Sequence, residues 1–186
     1  QFLTMVVAAL LSIVLGLGMP TPSAYILAAV LIGPLMNQVG VDTLAGHMFI
    51  LYYAVLSAIT PPVAVAAYAA SSIAGANPIT IAGHAVKFAL AAFLVPFIFV
   101  FGPELLWQGA LWKTALTFVT AAVALVLLSG AIEHYEKWAD AWWARWMLAI
   151  GAIFMITPSR WAEAVGVLLV VTAIVATRAL KARATA

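Results

Sequence analysis

Residues 16–23 read GLGMPTPS, and this stretch decides how the first third of the chain folds. It places two glycines and two prolines close together. Each proline lacks an amide donor and clashes with the preceding helical turn, and glycine weakens a helix by its conformational freedom. The pattern therefore predicts that the chain leaves helical geometry near residues 18–23.

The sequence on both sides of this break is apolar, without a charged residue between positions 2 and 35. The break divides it into arms of about 17 and 13 residues, whereas a helix needs roughly 20 apolar residues to cross about 30 Å of hydrocarbon. Since neither arm is long enough to cross, we predict a re-entrant helical hairpin over residues 1–36.

A second uncharged run covers residues 44–76 and is interrupted by Thr60, Pro61 and Pro62. Two adjacent prolines lack two amide donors, so carbonyl groups one turn earlier lose their partners. We predict a discontinuous transmembrane helix here, with halves at 44–59 and 63–73 and an unwound joint between them.

The remaining sequence predicts ordinary transmembrane helices. One covers residues 85–103, and another covers 114–132, a stretch without any charge. Two shorter apolar stretches follow at 146–156 and 164–177, with tryptophans at their ends, where indoles prefer the headgroup region. The first of these helices ends at Gly102 and Pro103.

Composition agrees with a membrane protein. Apolar residues make up 67% of the chain and charged residues 8%, compared with roughly 25% charged residues in soluble domains. The absence of cysteine excludes a disulfide scaffold and a thiolate metal site. The few basic residues form no patch for nucleic acid. The predicted fold class is an all-α polytopic membrane protein.

The two breaks are the candidate functional site. Backbone outside a helix is costly in hydrocarbon and survives only where protein or a polar cavity surrounds it. In secondary transporters, broken helices turn their N-termini toward anions, while freed carbonyls and hydroxyls coordinate sodium. The candidate ion- and substrate-binding residues are Gly18, Pro20, Thr21, Pro22, Ser23, Ser57, Thr60, Pro61 and Pro62.

The coupling ion is predicted to be sodium. Proton carriers usually place a carboxylate or a histidine inside the membrane, but none of the candidate residues is ionisable. Neutral oxygens suit sodium, whereas calcium and magnesium usually require carboxylates. Thr21, Ser23 and Thr60 are the predicted sodium ligands, and we expect no other cofactor. Ser12, Ser71 and Ser72 are assigned to helix packing or to hydrogen bonds with their own helix.

An enzyme and a structural subunit are the other two functional classes. An intramembrane protease needs a serine with a paired base or two buried carboxylates, and neither arrangement is visible, so we do not expect an enzyme. Proline kinks also occur in helices that hold no ligand. The alternative is therefore a non-transporting membrane assembly or scaffold subunit, to which residues 104–186 can belong.

Several short stretches follow one another in a distinctive order. They read GMPTPSAY at 18–25, GVD at 40–42, HMF at 47–49, ITPPVA at 59–64 and GANP at 75–78. This order resembles the large membrane subunit of tripartite ATP-independent periplasmic (TRAP) transporters. More narrowly, it is similar to the fused permeases that work with TAXI-type binding proteins. The resemblance extends to about residue 103, and residues 104–186 look like the C-terminal transmembrane extension of some fused members, so we divide the chain there.

The resemblance implies a sodium-driven, elevator-type importer of small carboxylates in the bacterial inner membrane, fed by a TAXI-type periplasmic binding protein. It further implies that residues 1–103 are half of the transport domain, and that residues 18–23 and 60–62 meet at a sodium and substrate site. The first half would lie in the rest of the same permease chain. We therefore expect this chain to be the C-terminal part of a longer protein.

Overall fold

The computed structural model describes residues 2–133, 141–157 and 160–184. All secondary structure in this part of the chain is helical, and three of its helices are long and apolar enough to cross a membrane, namely Pro78–Phe101, Leu111–Ile132 and Trp161–Ala179. The predicted all-α polytopic class is thereby confirmed. The chain folds into two compact units, Gln1–Leu106 and Trp107–Ala186.

The first unit begins with helices α1 (Phe2–Gly16) and α2 (Thr21–Gln38), which pack against each other. The non-helical break between them covers residues 17–20, which is narrower than the predicted 18–23. Pro20 is the N-cap of α2, and Pro22 lies in its first turn. A missing amide costs nothing there, because the first amides of a helix have no helical acceptor. Gly18 has a φ of +76°, which glycine adopts readily.

Helix α3 (Thr43–Leu56) continues into a 3₁₀ turn at Ser57–Ile59, and helix α4 (Val65–Ala74) follows. Asp42 caps α3, since its Oδ1 atom accepts hydrogen bonds at 3.0 and 3.1 Å from two amides of the first turn. Residues 60–64 leave helical geometry at the two prolines. The interruption is thus where the sequence predicted it, and the second helix starts two residues later than expected.

Helix α5 (Pro78–Ala89), a 3₁₀ turn at Leu90–Leu94 and helix α6 (Val95–Phe101) form one apolar rod. The sequence predicted a helix only from residue 85. The earlier start results from Asn77, whose Oδ1 accepts hydrogen bonds from two amides of α5 at 2.9 and 3.4 Å. Proline at the first position of a helix completes this start signal.

Helices α1, α2, α3 and α6 share the hydrophobic core of the first unit. The ring of Phe49 packs at the centre of the aromatic group, with its centroid 4.9 Å from that of Tyr53 and 5.3 Å from that of Phe97. A hydrogen bond of 3.0 Å between Tyr25 Oη and His47 Nδ1 joins α2 to α3. The second arm of the hairpin is therefore fixed to the helix that leads into the broken joint.

The second unit contains helices α7 (Leu111–Ile132), α8 (Trp142–Ile156) and α9 (Arg160–Ala184). Helix α8 packs against both α7 and α9. Its approach to α9 is very close, because a Cβ atom at Gly166 would lie 2.6 Å from the carbonyl oxygen of Gly151. Only residues without a side chain permit this separation of the two backbones.

Candidate ion and substrate site

The end of α1 lies directly against the break that follows α3. A Cβ atom at Gly16 would collide with both Cβ and Oγ of Ser57, and a Cβ atom at Gly18 would lie 3.4 Å from Cγ1 of Val63. The turn of the hairpin and the joint of the broken helix therefore touch. Gly16 is buried, and no larger residue fits there without a shift of one of the two segments.

This contact brings two helix C-termini together. Gly16 is the last residue of α1, and Ser57 follows the last residue of α3. The C-terminal end of a helix carries partial negative charge, because its last carbonyl groups have no helical donor. Two such ends side by side favour a cation near the Gly16–Ser57 contact.

The hydroxyls at the second break point their hydrogens into the protein. Ser57 Oγ donates to the carbonyl oxygen of Ala54 at 2.7 Å, and Thr60 Oγ1 donates to that of Leu56 at 2.8 Å. A hydroxyl that donates its only hydrogen still has oxygen lone pairs to offer. Ser57 is buried and Thr60 half-buried, so both oxygens are fixed and can serve as neutral cation ligands.

Pro61 and Pro62 remove the helical donors of one backbone carbonyl. In a helix, the carbonyl of Ala58 would accept from the amide of residue 61 or 62, and neither proline has one. Neighbouring carbonyls keep a partner, since Ser57 O accepts from the Thr60 amide at 3.2 Å and Thr60 O from the Ala64 amide at 3.1 Å. Ala58 is thus the residue whose carbonyl has no helical amide to accept from.

The first break differs from expectation in its chemistry. Proline at position 20 removes the helical donor of the Gly16 carbonyl, but this carbonyl accepts from the Met19 amide at 3.3 Å instead. Thr21, Pro22 and Ser23 form the first turn of α2. Thr21 and Ser23 therefore offer helix N-terminal amides rather than freed carbonyls, whereas Pro22 has no amide to offer. Such amides bind anions.

Ser12 is a buried polar residue of α1 near the first break. It lies one turn before Gly16 on the buried face of α1, where it is fully buried. Among the described residues, its Oγ atom has no hydrogen-bond partner. Ser71 and Ser72 bond carbonyls of their own helix, at 2.8 and 2.7 Å, as predicted. Ser12 makes no such bond, and its burial on the packed face of α1 agrees with the other predicted role, helix packing.

Interrupted apolar helices that meet at their breaks are a feature of secondary transporters. Residues 1–114 match the family described as the tripartite ATP-independent periplasmic transporter, DctM component. The chain belongs to this family and is a permease component of a TRAP transporter. Comparisons with curated proteins and with solved structures gave no match.

Proposed function

We propose that the first unit forms half of the site at which a TRAP permease couples sodium entry to uptake of a small carboxylate. The contact between Gly16 and Ser57 is the observation that supports this proposal most directly. It joins the hairpin turn to the broken joint, and the remainder of the same permease chain would supply the other half.

The cation would lie on the side of the second break. Two helix C-termini converge there, and the oxygens of Ser57, Ala58 and Thr60 are neutral ligands within one short segment. Thr21 and Ser23, the other predicted ligands, belong to the start of α2, and they are assigned here to the substrate side. Electrostatics supports this division, because helix C-termini attract cations and helix N-termini attract anions.

The carboxylate would lie at the start of α2. Thr21 is half-buried and Ser23 exposed, so their hydroxyls and amides are available to an anion that enters from solvent. Helix α4 begins on the other side of the joint, at Val65. Its first amides also lack helical acceptors. An anion near these helix starts and a cation near the helix ends would bind cooperatively through their mutual attraction.

Delivery of the substrate by a periplasmic binding protein is supported by the family to which the chain belongs. A location in the bacterial inner membrane is part of the same proposal. The TAXI type and a fused arrangement rest on the sequence resemblance alone. The second unit lies largely beyond the match, which ends at residue 114, so the proposal concerns the first unit.

The ion site is tested by uptake in vesicles that contain the full-length permease and its binding protein. A Thr60→Val variant keeps the shape of the side chain but lacks the hydroxyl. We expect the loss of this one oxygen ligand to raise the half-saturating sodium concentration about tenfold, which corresponds to about 1.4 kcal/mol. Thr120→Val is the matched control, since Thr120 also donates to a carbonyl of its own helix, at 3.2 Å, but belongs to α7.

An unchanged sodium response in Thr60→Val would contradict the assignment of this ligand. Sodium coupling itself is tested separately by replacement of sodium with potassium, which we expect to stop uptake. Uptake driven by a pH gradient in sodium-free buffer would overturn the proposal.

The contact is tested with Gly16→Ala in the same vesicles. We expect this change to reduce uptake more than tenfold, because the added methyl group collides with Ser57. Ser57→Gly removes both colliding atoms. The double variant should therefore show more uptake than Gly16→Ala alone, although it also lacks the Ser57 hydroxyl. Gly83→Ala is the control, since nothing lies within 4 Å of a Cβ atom at Gly83.

A further inference from the structure

The second unit contains a cavity of about 290 Å³ between the end of α7 and the start of α8. It is lined by Ala131, Ile132, Trp142, Arg145, Trp146 and Ala149. The two indoles and the aliphatic side chains form an apolar wall, and one guanidinium group provides the charge. This combination belongs to neither of the two breaks in the first unit.

The apolar wall matches the acyl chain of a phospholipid, and the guanidinium charge matches its phosphate. Trp142 and Trp146 are 73% and 63% exposed, whereas Arg145 is half-buried. A guanidinium group presents five donors in a planar fork, which fits a phosphate with two parallel hydrogen bonds. Arg145 also interacts within the protein, and five donors are enough for both partners.

The depth of the cavity in the membrane also suits a lipid. Helix α7 has 22 residues and is apolar enough to cross, and it rises about 33 Å. Ile132 is its last residue, so the cavity lies where the hydrocarbon meets the headgroups. Tryptophan prefers this depth, and a basic residue between helices there attracts acidic headgroups.

We propose that this cavity binds an anionic phospholipid of the surrounding bilayer, with its phosphate on Arg145 and its acyl chain along Trp142 and Trp146. A free phosphate would use the guanidinium group but leave the apolar wall uncovered. A lipid covers both, because its chain continues from the headgroup into the hydrocarbon.

The test is quenching of tryptophan fluorescence in vesicles that contain the full chain. Phosphatidylglycerol with a brominated acyl chain is compared with brominated phosphatidylcholine in a phosphatidylcholine bilayer. We expect half-maximal quenching at about fivefold lower mole fraction of phosphatidylglycerol, the contribution of one basic residue near an acidic surface. Trp142→Phe with Trp146→Phe should remove this preference, whereas Trp161→Phe, which changes an indole outside the cavity, should keep it.

The charge is tested with Arg145→Gln, which should abolish the fivefold preference, and with Arg145→Lys, which keeps the charge without the planar fork and should retain part of it. A preference that persists in Arg145→Lys excludes misfolding as the cause of its loss in Arg145→Gln. Lys113→Gln is the control, since Lys113 lies at the opposite end of α7 over the ring of Trp112. Equal quenching by both lipids in the unaltered protein would overturn the proposal. So would displacement of phosphatidylglycerol by inorganic phosphate, or an absence of quenching at Trp142 and Trp146, which would mean that protein covers the cavity.

Discussion

The hydroxyl of Tyr53 donates a hydrogen bond to the carbonyl oxygen of Phe93, 2.6 Å away. Tyr53 belongs to α3, one turn before its end, and Phe93 belongs to the 3₁₀ turn between α5 and α6. The tyrosine is 2% exposed. This bond therefore joins α3, the helix that leads into the broken joint, to the 3₁₀ turn at Leu90–Leu94. In the described structure, this turn is the only part of the Pro78–Phe101 rod that is not α-helical.

Replacement of Tyr53 tests how much this hydrogen bond contributes to the free energy of unfolding. Tyr53→Phe keeps the ring but leaves the Phe93 carbonyl without its donor, and we expect the free energy of unfolding in detergent micelles to fall by about 1–3 kcal/mol. Tyr52→Phe is the control at the neighbouring position, where the ring packs against Phe99, and it should change stability by less than about 0.5 kcal/mol. Equal losses in the two variants would contradict this role of Tyr53.

Loss of the Ser12 hydroxyl should stabilise the folded protein. A buried hydroxyl without a partner costs roughly 1–3 kcal/mol, so Ser12→Ala is expected to raise the free energy of unfolding by about 1 kcal/mol. Ser57→Ala removes a hydroxyl that does donate, to Ala54, and should lower it. Thermal unfolding of both variants in the same detergent gives the comparison. A loss of stability in Ser12→Ala would mean that its hydroxyl has a partner in the folded protein.

Ala64 occupies the left-handed region, with φ +37° and ψ +56°. This conformation costs a residue with a Cβ atom roughly 1–2 kcal/mol. Ala64→Gly removes that cost but also loses one buried methyl group worth about 0.8 kcal/mol, so we expect stability to change little. Ala67→Gly loses a buried methyl and about 1 kcal/mol of helix propensity. Denaturant unfolding should therefore separate the two variants by well over 1 kcal/mol, and similar losses would contradict the strain at Ala64.

Gly166 sets the spacing of α8 and α9. A Cβ atom there would lie 2.6 Å from the carbonyl oxygen of Gly151 and 2.8 Å from the amide nitrogen of Met155. Since both are backbone atoms, the helices must separate, and Gly166→Ala is expected to lower stability by about 1–3 kcal/mol. At Gly83, where nothing lies within 4 Å, the same substitution should raise stability by helix propensity. Opposite signs in thermal unfolding are the expected result.

The broken helix could be predicted because its cause is local. Pro61 and Pro62 lack amide groups wherever they occur, so the interruption near them follows from covalent structure. The start of α2 was placed too late because two prolines were assigned only the role of helix breakers. Pro22 lies in a first turn, where its missing amide has no cost. The Asn77–Pro78 start of α5 was likewise present in the sequence as a cap signal and was not used.

The contact between Gly16 and Ser57 could not be derived from local sequence. It depends on how α1 and α3 pack, and the two residues lie far apart along the chain. The same holds for the unpartnered Ser12, because a serine on an apolar helix usually bonds its own backbone. The sequence did indicate which segments meet, through the order of its family motifs. Which groups face one another required the three-dimensional arrangement.

The short length of α8 has a consequence for the surrounding lipid. Its 15 residues rise about 22 Å, which is less than a hydrocarbon thickness of about 30 Å. Helix α7, against which it packs, matches that thickness. A short helix among longer ones is accommodated by local thinning of the bilayer, at a cost of a fraction of a kcal/mol per Å. We therefore expect the C-terminal unit to favour short-chain lipids and to accumulate in the thinner regions of a mixed membrane.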